Sequence, residues 1–335
     1  MLSTAKVFYL QWHITERCNL HCAHCYQQER RPELGYEQQI ELFERFARLP
    51  VKLGRSLDVA LTGGEPFLSP SFYDLLAYLC RQDDLVRYID VLTNGTLIDL
   101  PCAQRLAELG VHRVSVSIDG GTAEVHDAIR GPGNFKRALA GVEALLAAGV
   151  KVAVQTVVHR LNYRSVPALV ELLANYNARV SFAATRLVPE GRGETLQDAV
   201  LTASEIQALF TSLNDMATTY RERLEILRGR DLWRLIDPEV GGSCSIGTSG
   251  LCLMPDGVVL PCRRLPIEIG DLTKQGVFEI WYGSSLLWEL RDRDKLQGKC
   301  GTCPYREVCG GCRAVAYGVT GNYLAEDPQC WRPAS

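Results

Sequence analysis

The sequence lacks a long apolar run, a cluster of basic residues and an export signal. Its longest early apolar stretch, residues 7–14, is interrupted by Gln11 and His13 and is too short to span a membrane or to form a signal peptide. Basic and acidic residues are nearly balanced, at 36 and 39, and give a net charge of −3. The absence of a basic run argues against nucleic-acid binding. We therefore expect a cytoplasmic protein that binds neither membranes nor nucleic acids.

Cysteine is absent between Cys102 and Cys244, although the chain contains 13 cysteines. An odd number of cysteines without an export signal argues against a disulfide framework. Most of the thiols fall into two groups, with three between Cys18 and Cys25 and eight between Cys244 and Cys330. Clustered thiols in a reducing compartment indicate metal or iron–sulfur ligation.

Short β-rich runs alternate with helical patterns in the first half of the chain. The predicted strands are Phe8–Thr15, Leu57–Thr62, Tyr88–Leu92, Arg113–Ile118, Lys151–Val158 and Val180–Ala184. The predicted helices between them are Tyr36–Leu49, Ser71–Leu79, Pro101–Leu109, Asn134–Ala148 and Val166–Tyr176. Hydrophobic residues make up 47% of the chain, which is enough to bury a sizeable core. The repeating units predict an α/β fold, a partial six-stranded β/α barrel with functional loops after its strands.

Four polar or glycine-rich loops follow the first four predicted strands. Residues 18–25 follow the first strand, residues 62–66 the second, residues 93–95 the third and residues 119–121 the fourth. Because the carboxyl ends of parallel strands in a β/α fold share one rim, these loops are expected to meet. The sequence therefore predicts one functional site at this rim.

The change in composition along the chain predicts three parts. Residues 1–190 form the β/α domain, and residues 191–240 form a helical bridge in which Ser204 is a possible N-cap. Residues 241–335 are rich in glycine, proline and cysteine and have little periodicity. We expect this last part to be a small domain held together by metal rather than by a hydrophobic core.

The first cysteine group has the spacing Cys18-x3-Cys22-x2-Cys25. Three thiolates can bind three irons of a 4Fe–4S cluster and leave the fourth iron open to a small molecule. The alternative is a closed tetrahedral zinc site completed by His21 or His24. The position of the group after the first strand of a β/α series, with a glycine-rich loop after the second, favours the cluster.

This cysteine spacing and the order of the later loops resemble the radical S-adenosylmethionine (SAM) superfamily, and the resemblance covers nearly the whole chain. It implies that SAM binds the open iron through its amino and carboxylate groups. An electron from the cluster then breaks a carbon–sulfur bond to give methionine and a 5′-deoxyadenosyl radical, which takes a hydrogen atom from the substrate. It also implies an electron donor such as flavodoxin or ferredoxin.

The same resemblance assigns a set of SAM-binding residues. Gly63, Gly64 and Glu65 receive the methionyl amino group. Ser117 and Asp119 contact the carboxylate and ribose of SAM, and Arg130 pairs with the methionyl carboxylate. The backbone of His24 lies near the adenine, and Leu187 lines the adenine pocket. Ordinary structural roles are the alternatives. These are a tight turn for the glycines, a buried hydroxyl or helix cap for Ser117 and Asp119, and a surface ion pair for Arg130.

The second cysteine group resembles the SPASM extension found on radical SAM enzymes. By that resemblance one auxiliary 4Fe–4S cluster is bound by Cys244, Cys252, Cys262 and Cys312, and a second by Cys300, Cys303, Cys309 and Cys330. Two structural zinc ions are the alternative, since paired cysteines also bind zinc. The spacing Cys309-x2-Cys312 is one residue shorter than the commonest family spacing, which leaves the partition of ligands open.

Two features bear on the substrate. Arg263 and Arg264 follow Cys262, where the related sulfatase maturases carry a catalytic aspartate, and this disfavours sulfatase maturation. The C-terminal tail resembles both peptide-modifying maturases and haem-pathway proteins. Arg192, Arg263 and Arg264 are suited to carboxylates of a substrate, or are simply solvated surface.

These features lead to four hypotheses about the activity. The first is radical modification of a peptide or protein side chain; the others are tetrapyrrole side-chain decarboxylation, sugar or aminocyclitol dehydrogenation, and a non-catalytic iron–sulfur electron carrier. The glycine–glycine–glutamate loop argues against a carrier, because a carrier needs no SAM pocket. Only 17 residues precede Cys18, so we expect a peptide substrate to need a separate peptide-carrier protein or a direct groove.

Overall fold

The computed structural model describes residues 7–27, 31–176, 178–229, 231–242 and 244–333. Its strands are β1 Val7–His13, β2 Ser56–Thr62, β3 Val86–Thr93, β4 Arg113–Ser117, β5 Val152–Val158, β6 Val180–Arg186, β7 Leu224–Ile226, β8 Gly250–Leu253, β9 Val258–Leu260 and β10 Gly270–Asp271. They form one sheet in the order β10-β9-β8-β1-β2-β3-β4-β5-β6-β7. The strands from β8 through β1 to β7 are parallel, whereas β9 and β10 are antiparallel additions.

Helices cover the connections between these strands. They are α1 Tyr36–Lys52, α2 Phe72–Cys80, α3 Leu100–Glu108, α4 Ala123–Arg130, α5 Asn134–Ala147, α6 Val166–Ala174, α7 Ala203–Thr219, α8 Val277–Gly283, α9 Ser285–Arg291, α10 Gly298–Gly301 and α11 Arg313–Thr320. A 3₁₀ segment, Gly191–Ala199, follows β6. No helix among the described residues is long and apolar enough to cross a membrane.

The predicted β/α series is confirmed, and the sheet continues beyond it on both sides. All six predicted strands are present, β7 extends the sheet past β6, and β8 lies on the other side of β1. The three residues of β7 are too few for a recognisable alternation. Helix α4 is a further element that the sequence pattern did not predict. At the start of α7, Thr202 rather than Ser204 is the N-cap, since its hydroxyl accepts a hydrogen bond from the amide of Glu205.

Strand β1 lies at the centre of the core because it has a strand on each side and a helix packed against it. Trp12 stacks on Phe43 of α1 with ring centres 6.1 Å apart, and Phe8 meets Phe46 edge to face at 5.9 Å. The buried face of α1 has the spacing of an amphipathic helix, with residues 42, 43, 46 and 49. This packing fixes the strand from whose end the first cysteine loop emerges.

The sheet joins the two ends of the chain. Residues Tyr9–Trp12 of β1 pair in register with Gly250–Leu253 of β8, so the strand that carries Cys252 belongs to the central sheet. The division into residues 1–190, 191–240 and 241–335 stays a prediction. The sheet extends across the predicted boundary before residue 241, because β8 pairs with β1. The cysteine-rich part is thus attached along the strand that leads to the first cysteine loop.

Candidate iron–sulfur and SAM site

The loop after β1 brings Cys18, Cys22 and Cys25 together at the predicted rim. Cys22 is buried and the other two thiols are half-buried. The backbone of the loop is fixed from two sides, because the amide of Ala23 donates to the carbonyl of Ile129 at 2.9 Å and the amide of Arg192 donates to the carbonyl of Cys25, also at 2.9 Å. The loop is therefore clamped between the end of α4 and the segment after β6.

The surroundings of these sulfurs fit a cluster. Burial raises the pKa of Cys18 to about 11 and also raises that of Cys22, in part because the neighbouring thiols repel one another's charge. Iron held by these cysteines would remove that penalty, because a metal stabilises the thiolate form. Hydrogen-bond donors already point at the sulfurs: the amide of Leu20 lies 3.4 Å from Cys18 Sγ, and Arg130 Nη1 lies 3.8 Å from Cys22 Sγ. Such donors stabilise and tune cluster thiolates.

No three His, Cys, Asp or Glu side chains in the described ranges form a group that could hold a single metal ion. In a 4Fe–4S cluster each thiolate binds a different iron, so the cysteine set of such a cluster need not converge on one point.

The loop after β2 packs against the backbone that leads into the cysteine loop. The amide of Gly64 donates to the carbonyl of Thr15 at 2.8 Å, and the amide of Glu65 donates to the carbonyl of Arg17 at 2.7 Å. A Cβ added at Gly63 would lie 2.2 Å from the Thr15 carbonyl oxygen, and one at Gly64 would lie 2.3 Å from that of Arg17. Both glycines are therefore required for this close approach. Their role in binding the SAM amino group stays a prediction.

The carboxylate of Glu65 lies inside the protein and binds the loop after β3. It accepts hydrogen bonds from Thr93 Oγ1 at 2.7 Å and from the amide of Asn94 at 2.8 Å. Burial raises its pKa to about 7, although these hydrogen bonds act in the opposite direction. Glu65 thus connects the second and third predicted loops, as expected for loops that share a rim.

Asp119 is the hub of a buried ion network beside the cysteine loop. One of its oxygens, Oδ2, lies 2.6 Å from both His24 Nε2 and Arg130 Nε, and the other accepts from the amide of Val157 at 2.9 Å. Burial alone would raise the pKa of Asp119, but Arg130 and His24 outweigh it and hold the pKa well below its usual range. The ion pair of Arg130 is therefore buried and does not lie on the surface.

The remaining predicted SAM contacts lie at the same edge of the sheet. Ser117 ends β4 and pairs with Gln155 of β5. Leu187 is buried just after β6, and its amide donates to the carbonyl of Val158 at 3.2 Å. The structure thus brings these residues and the three-cysteine loop to one rim, while the contacts of each with SAM stay predictions.

The cysteines predicted to hold one auxiliary cluster surround one narrow pocket. Cys300, Cys303, Cys309 and Cys330 all line it. The sulfur of Cys309 accepts from the amide of Gly311 at 3.4 Å, and that of Cys300 accepts from the amide of Asp327 at 3.4 Å. Four thiols around one pocket with amide donors fit an iron–sulfur cluster and support the predicted partition.

The other predicted set is built on the β8–β9 hairpin. Cys252 lies on β8 and Cys262 follows β9. Burial raises the pKa of Cys252, and the nearby Cys262 thiol acts in the same direction. Cys244 packs against the main hydrophobic core, and Cys312 forms the N-cap position of α11. Their grouping into one cluster stays a prediction.

A cavity of about 450 Å³ opens between the first cysteine loop and the auxiliary part. Tyr26, which directly follows Cys25, and Arg263, which directly follows Cys262, both line it. The guanidinium of Arg263 stacks on the Tyr26 ring at 4.4 Å and donates to the Tyr26 carbonyl at 3.3 Å. The charged residues of the cavity wall are Glu16, Glu190, Glu194, Glu268, Arg31 and Arg263. Its size suits a small molecule or a few residues of a peptide.

Comparison with known proteins decides the family. The family model described as the radical SAM superfamily matches residues 12–173. The AdoMet-dependent heme synthase of Methanosarcina barkeri is 32% identical over 97% of this chain and 96% of its own length. The chain belongs to the radical SAM superfamily. It is therefore an enzyme, and its cofactors are SAM and iron–sulfur clusters.

Further comparisons extend to the C-terminal part of this radical SAM enzyme. The model described as an iron-sulfur cluster-binding domain, SPASM, matches residues 244–304. The mycofactocin maturase MftC of Mycobacterium tuberculosis is 33% identical over 96% of this chain and 82% of its own length. The structure of Streptococcus suis SuiB bound to S-adenosylmethionine matches with a TM-score of 0.75, 18% identity and coverage of 98% of this chain and 78% of that one. That structural likeness confirms the fold.

Several site residues carried no recognisable signal in the sequence. His159, at the end of β5, is fully buried beside His24 with their rings 6.0 Å apart, and neither of its ring nitrogens has a hydrogen-bond partner among the described residues. Tyr26 and Glu190 are further additions, since both line the cavity. A cavity-facing position cannot be read from spacing alone. The one available signal was that Tyr26 and Arg263 each follow a predicted ligand cysteine.

Proposed function

We propose that this radical SAM enzyme modifies a peptide or protein side chain that is held in the cavity beside Tyr26. Bound SAM supplies the 5′-deoxyadenosyl radical, and the chain's own residues place the substrate and exclude water. The observation that carries the proposal is the position of the cavity, directly next to the proposed cluster ligand Cys25 and against the auxiliary part.

The charge of the cavity wall supports a peptide. Four carboxyl groups and two guanidinium groups line it, and Arg31 is already paired with Asp256 and Glu268. A wall of this kind is more complementary to the amide groups and mixed charges of a peptide than it is to a ligand with several carboxylates. A maturase among the relatives, and a structure of SuiB bound to its precursor peptide, are consistent with this substrate class.

Tetrapyrrole side-chain chemistry is the second candidate. The heme synthase relative aligns with this chain over nearly the full length of both proteins. Pre-heme d1 synthase of Dinoroseobacter shibae is a further relative of this kind. A tetrapyrrole would occupy the same cavity, so the two candidates differ in the ligand and not in the radical chemistry.

We also propose the assignment of the individual ligands. Cys18, Cys22 and Cys25 hold the SAM-binding cluster, and the eight cysteines of the C-terminal part hold two auxiliary clusters in the predicted sets. The SAM contacts are Gly63, Gly64, Glu65, Ser117, Asp119, Arg130, His24 and Leu187. A flavodoxin or ferredoxin supplies the electron, and a peptide substrate either is presented by a separate carrier protein or binds directly in a groove.

The direct test is anaerobic reconstitution of the purified protein with iron and sulfide. We expect about twelve irons and a similar amount of sulfide per chain, from three four-iron clusters. With SAM and dithionite the protein should form 5′-deoxyadenosine, and Cys22→Ala should abolish this product. Cys80→Ala is the matched control, because Cys80 is a half-buried thiol outside both cysteine groups. Full 5′-deoxyadenosine formation by Cys22→Ala would show that the first loop does not hold the cluster.

The substrate class is tested with the reconstituted enzyme in two parallel assays. One contains peptides encoded beside its gene, and the other contains iron coproporphyrin III. Mass spectrometry of each candidate substrate, with 5′-deoxyadenosine measured in the same sample, identifies the class that is modified in step with SAM cleavage. A mass change in the porphyrin alone would replace the peptide proposal by the second candidate.

A further inference from the structure

Arg263 is a buried cation that forms no direct ion pair within the described residues, although its charge acts on Glu16 and Glu190 of the same cavity wall. The residue is 6% exposed, and its one hydrogen bond among the described residues goes to a backbone carbonyl, that of Tyr26. Its Nε is buried and has no hydrogen-bond partner in the described part of the chain. A buried charge is unfavourable unless it is paired. Its position in the wall of a cavity therefore indicates that a bound molecule provides the partner.

The other arginine of the cavity shows the contrast. Arg31 Nη1 lies 2.9 Å from a carboxylate oxygen of Asp256, and its Nη2 lies 2.8 Å from one of Glu268. Arg31 thus contacts two carboxylates directly, whereas the guanidinium of Arg263 contacts no carboxylate in the described part of the chain and can bind one from a ligand.

Glu190 adds a second group that can bind the same ligand. This half-buried carboxyl lines the cavity, and burial raises its pKa to about 7 although the charge of Arg263 acts to lower it. Near neutral pH a fraction of Glu190 is protonated and can donate a hydrogen bond to an anion. Arg263 then provides charge, and Glu190 provides a hydrogen bond.

We infer that Arg263 binds a carboxylate of the substrate, so that the substrate class is a carboxylic acid. This inference rests on the proposed function, because it names the substrate of the same cavity. Guanidinium and carboxylate form a charge-assisted, geometrically specific pair. Since Arg263 stacks on Tyr26, the carboxylate is held beside the residue that follows Cys25. Two sources provide this group, a peptide with a free carboxylate and a tetrapyrrole propionate.

The test compares each acid with its blocked form on SAM-loaded holoenzyme under anaerobic conditions. One pair is a pool of pentapeptides of uncharged residues with free C-terminal carboxylates and the same pool with C-terminal amides. The other pair is iron coproporphyrin III and its tetramethyl ester. For one of these two ligands, we expect the free acid to bind at least about tenfold more tightly than its blocked form. This is the difference expected from one charge-assisted hydrogen-bonded ion pair.

Variants then assign that preference to Arg263. Arg263→Gln should remove the preference, and Arg263→Lys should restore part of it because the charge returns without the planar fork. Arg87→Gln, which removes an ion pair with Asp58 outside the cavity, is the matched control and should keep the preference. Iron content and SAM binding, measured on each variant, show that the fold and the clusters are intact.

The outcomes separate this inference from the proposed function. The pair that shows the preference identifies the source of the carboxylate. If wild-type protein forms 5′-deoxyadenosine but shows no preference in either pair, or if Arg263→Gln keeps it, the inference is overturned and the proposed function stands. Failure to form 5′-deoxyadenosine at all would instead overturn the proposed function.

Discussion

Asp119 shows how much of the site depends on a single side chain. Its carboxylate binds two buried side chains, the imidazole of His24 within the cysteine loop and the guanidinium of Arg130 at the end of α4, and Arg130 in turn donates to Cys22. The residue therefore connects the strand β4 to the loop that carries the proposed cluster ligands. This role is structural and is compatible with the predicted contact with SAM.

Asp119→Asn should destabilise the protein strongly. The substitution leaves Arg130 buried without a carboxylate, and loss of one partner of a buried pair costs about 3–5 kcal/mol in free energy of unfolding. Denaturant unfolding of the holoenzyme under anaerobic conditions measures the change. Asp58→Asn is the control, because the ion pair between Asp58 and Arg87 is largely exposed and should contribute about 0–1 kcal/mol. Equal losses in the two variants would contradict the assigned role of Asp119.

Two glycine-containing segments enclose the cysteine loop at the scale of secondary-structure elements. The loop after β2 packs against residues 15–17, and the 3₁₀ segment after β6 packs against Tyr26. A Cβ at Gly191 would lie 2.6 Å from the Tyr26 backbone, and its φ of 61° is one that favours glycine. The cysteine loop is therefore shaped by its neighbours and not by its own sequence alone.

Gly64→Ala should displace the cysteine loop and reduce cluster retention. The added Cβ would overlap the carbonyl oxygen of Arg17, which is backbone and cannot rotate away. We expect a loss of about four irons per chain, those of the first cluster, and of SAM-dependent 5′-deoxyadenosine. Gly283→Ala is the control, because nothing lies within 4 Å of a Cβ built there. Normal iron content and activity in Gly64→Ala would show that the close approach is dispensable.

Contacts between residues far apart in sequence attach the C-terminal cysteine group to the β/α part of the sheet. Arg186 at the end of β6 binds both carboxylate oxygens of Asp327, at 3.0 and 2.9 Å, and the pair is buried. Asp327 in turn accepts from the amide of Cys312 at 2.8 Å, and its own amide donates to Cys300 Sγ. One ion pair thus supports cysteines of both proposed auxiliary sets.

Arg186→Ala should therefore loosen the auxiliary part and leave the first cluster in place. In the native protein Arg186 lowers the pKa of Asp327 and outweighs burial, which would raise it. In the variant, Asp327 would be a buried carboxylate without its cation. We expect iron to fall from about twelve towards about four per chain, with 5′-deoxyadenosine formation partly kept. Arg160→Ala, which removes an exposed ion pair with Glu205, is the control. Iron loss from the first cluster instead would contradict this division.

Cys303→Ala separates SAM cleavage from turnover of the substrate. Cys303 lines the pocket of one proposed auxiliary cluster, so its loss should lower iron to about eight per chain. Part of the 5′-deoxyadenosine formation should remain, because the first cluster is intact, while product formation stops, because an auxiliary cluster is expected to accept the second electron of the substrate. Iron analysis and product assays on the same preparation measure both effects. Unchanged iron in this variant would remove Cys303 from the ligand set.

The sequence by itself determined the chemistry and the order of the elements. Ligand spacing is local, so the spacing of Cys18, Cys22 and Cys25, taken with the order of the later loops, was enough to predict the radical SAM family. The strand and helix patterns were enough to predict the β/α series. Only the tertiary structure decided which distant residues meet. Arg263 and Tyr26 are 237 positions apart, and Arg186 and Asp327 are 141 apart. The pairing of β8 with β1 and the cavity wall likewise depend on packing, because no short-range pattern encodes contacts between segments that only the folded sheet brings together.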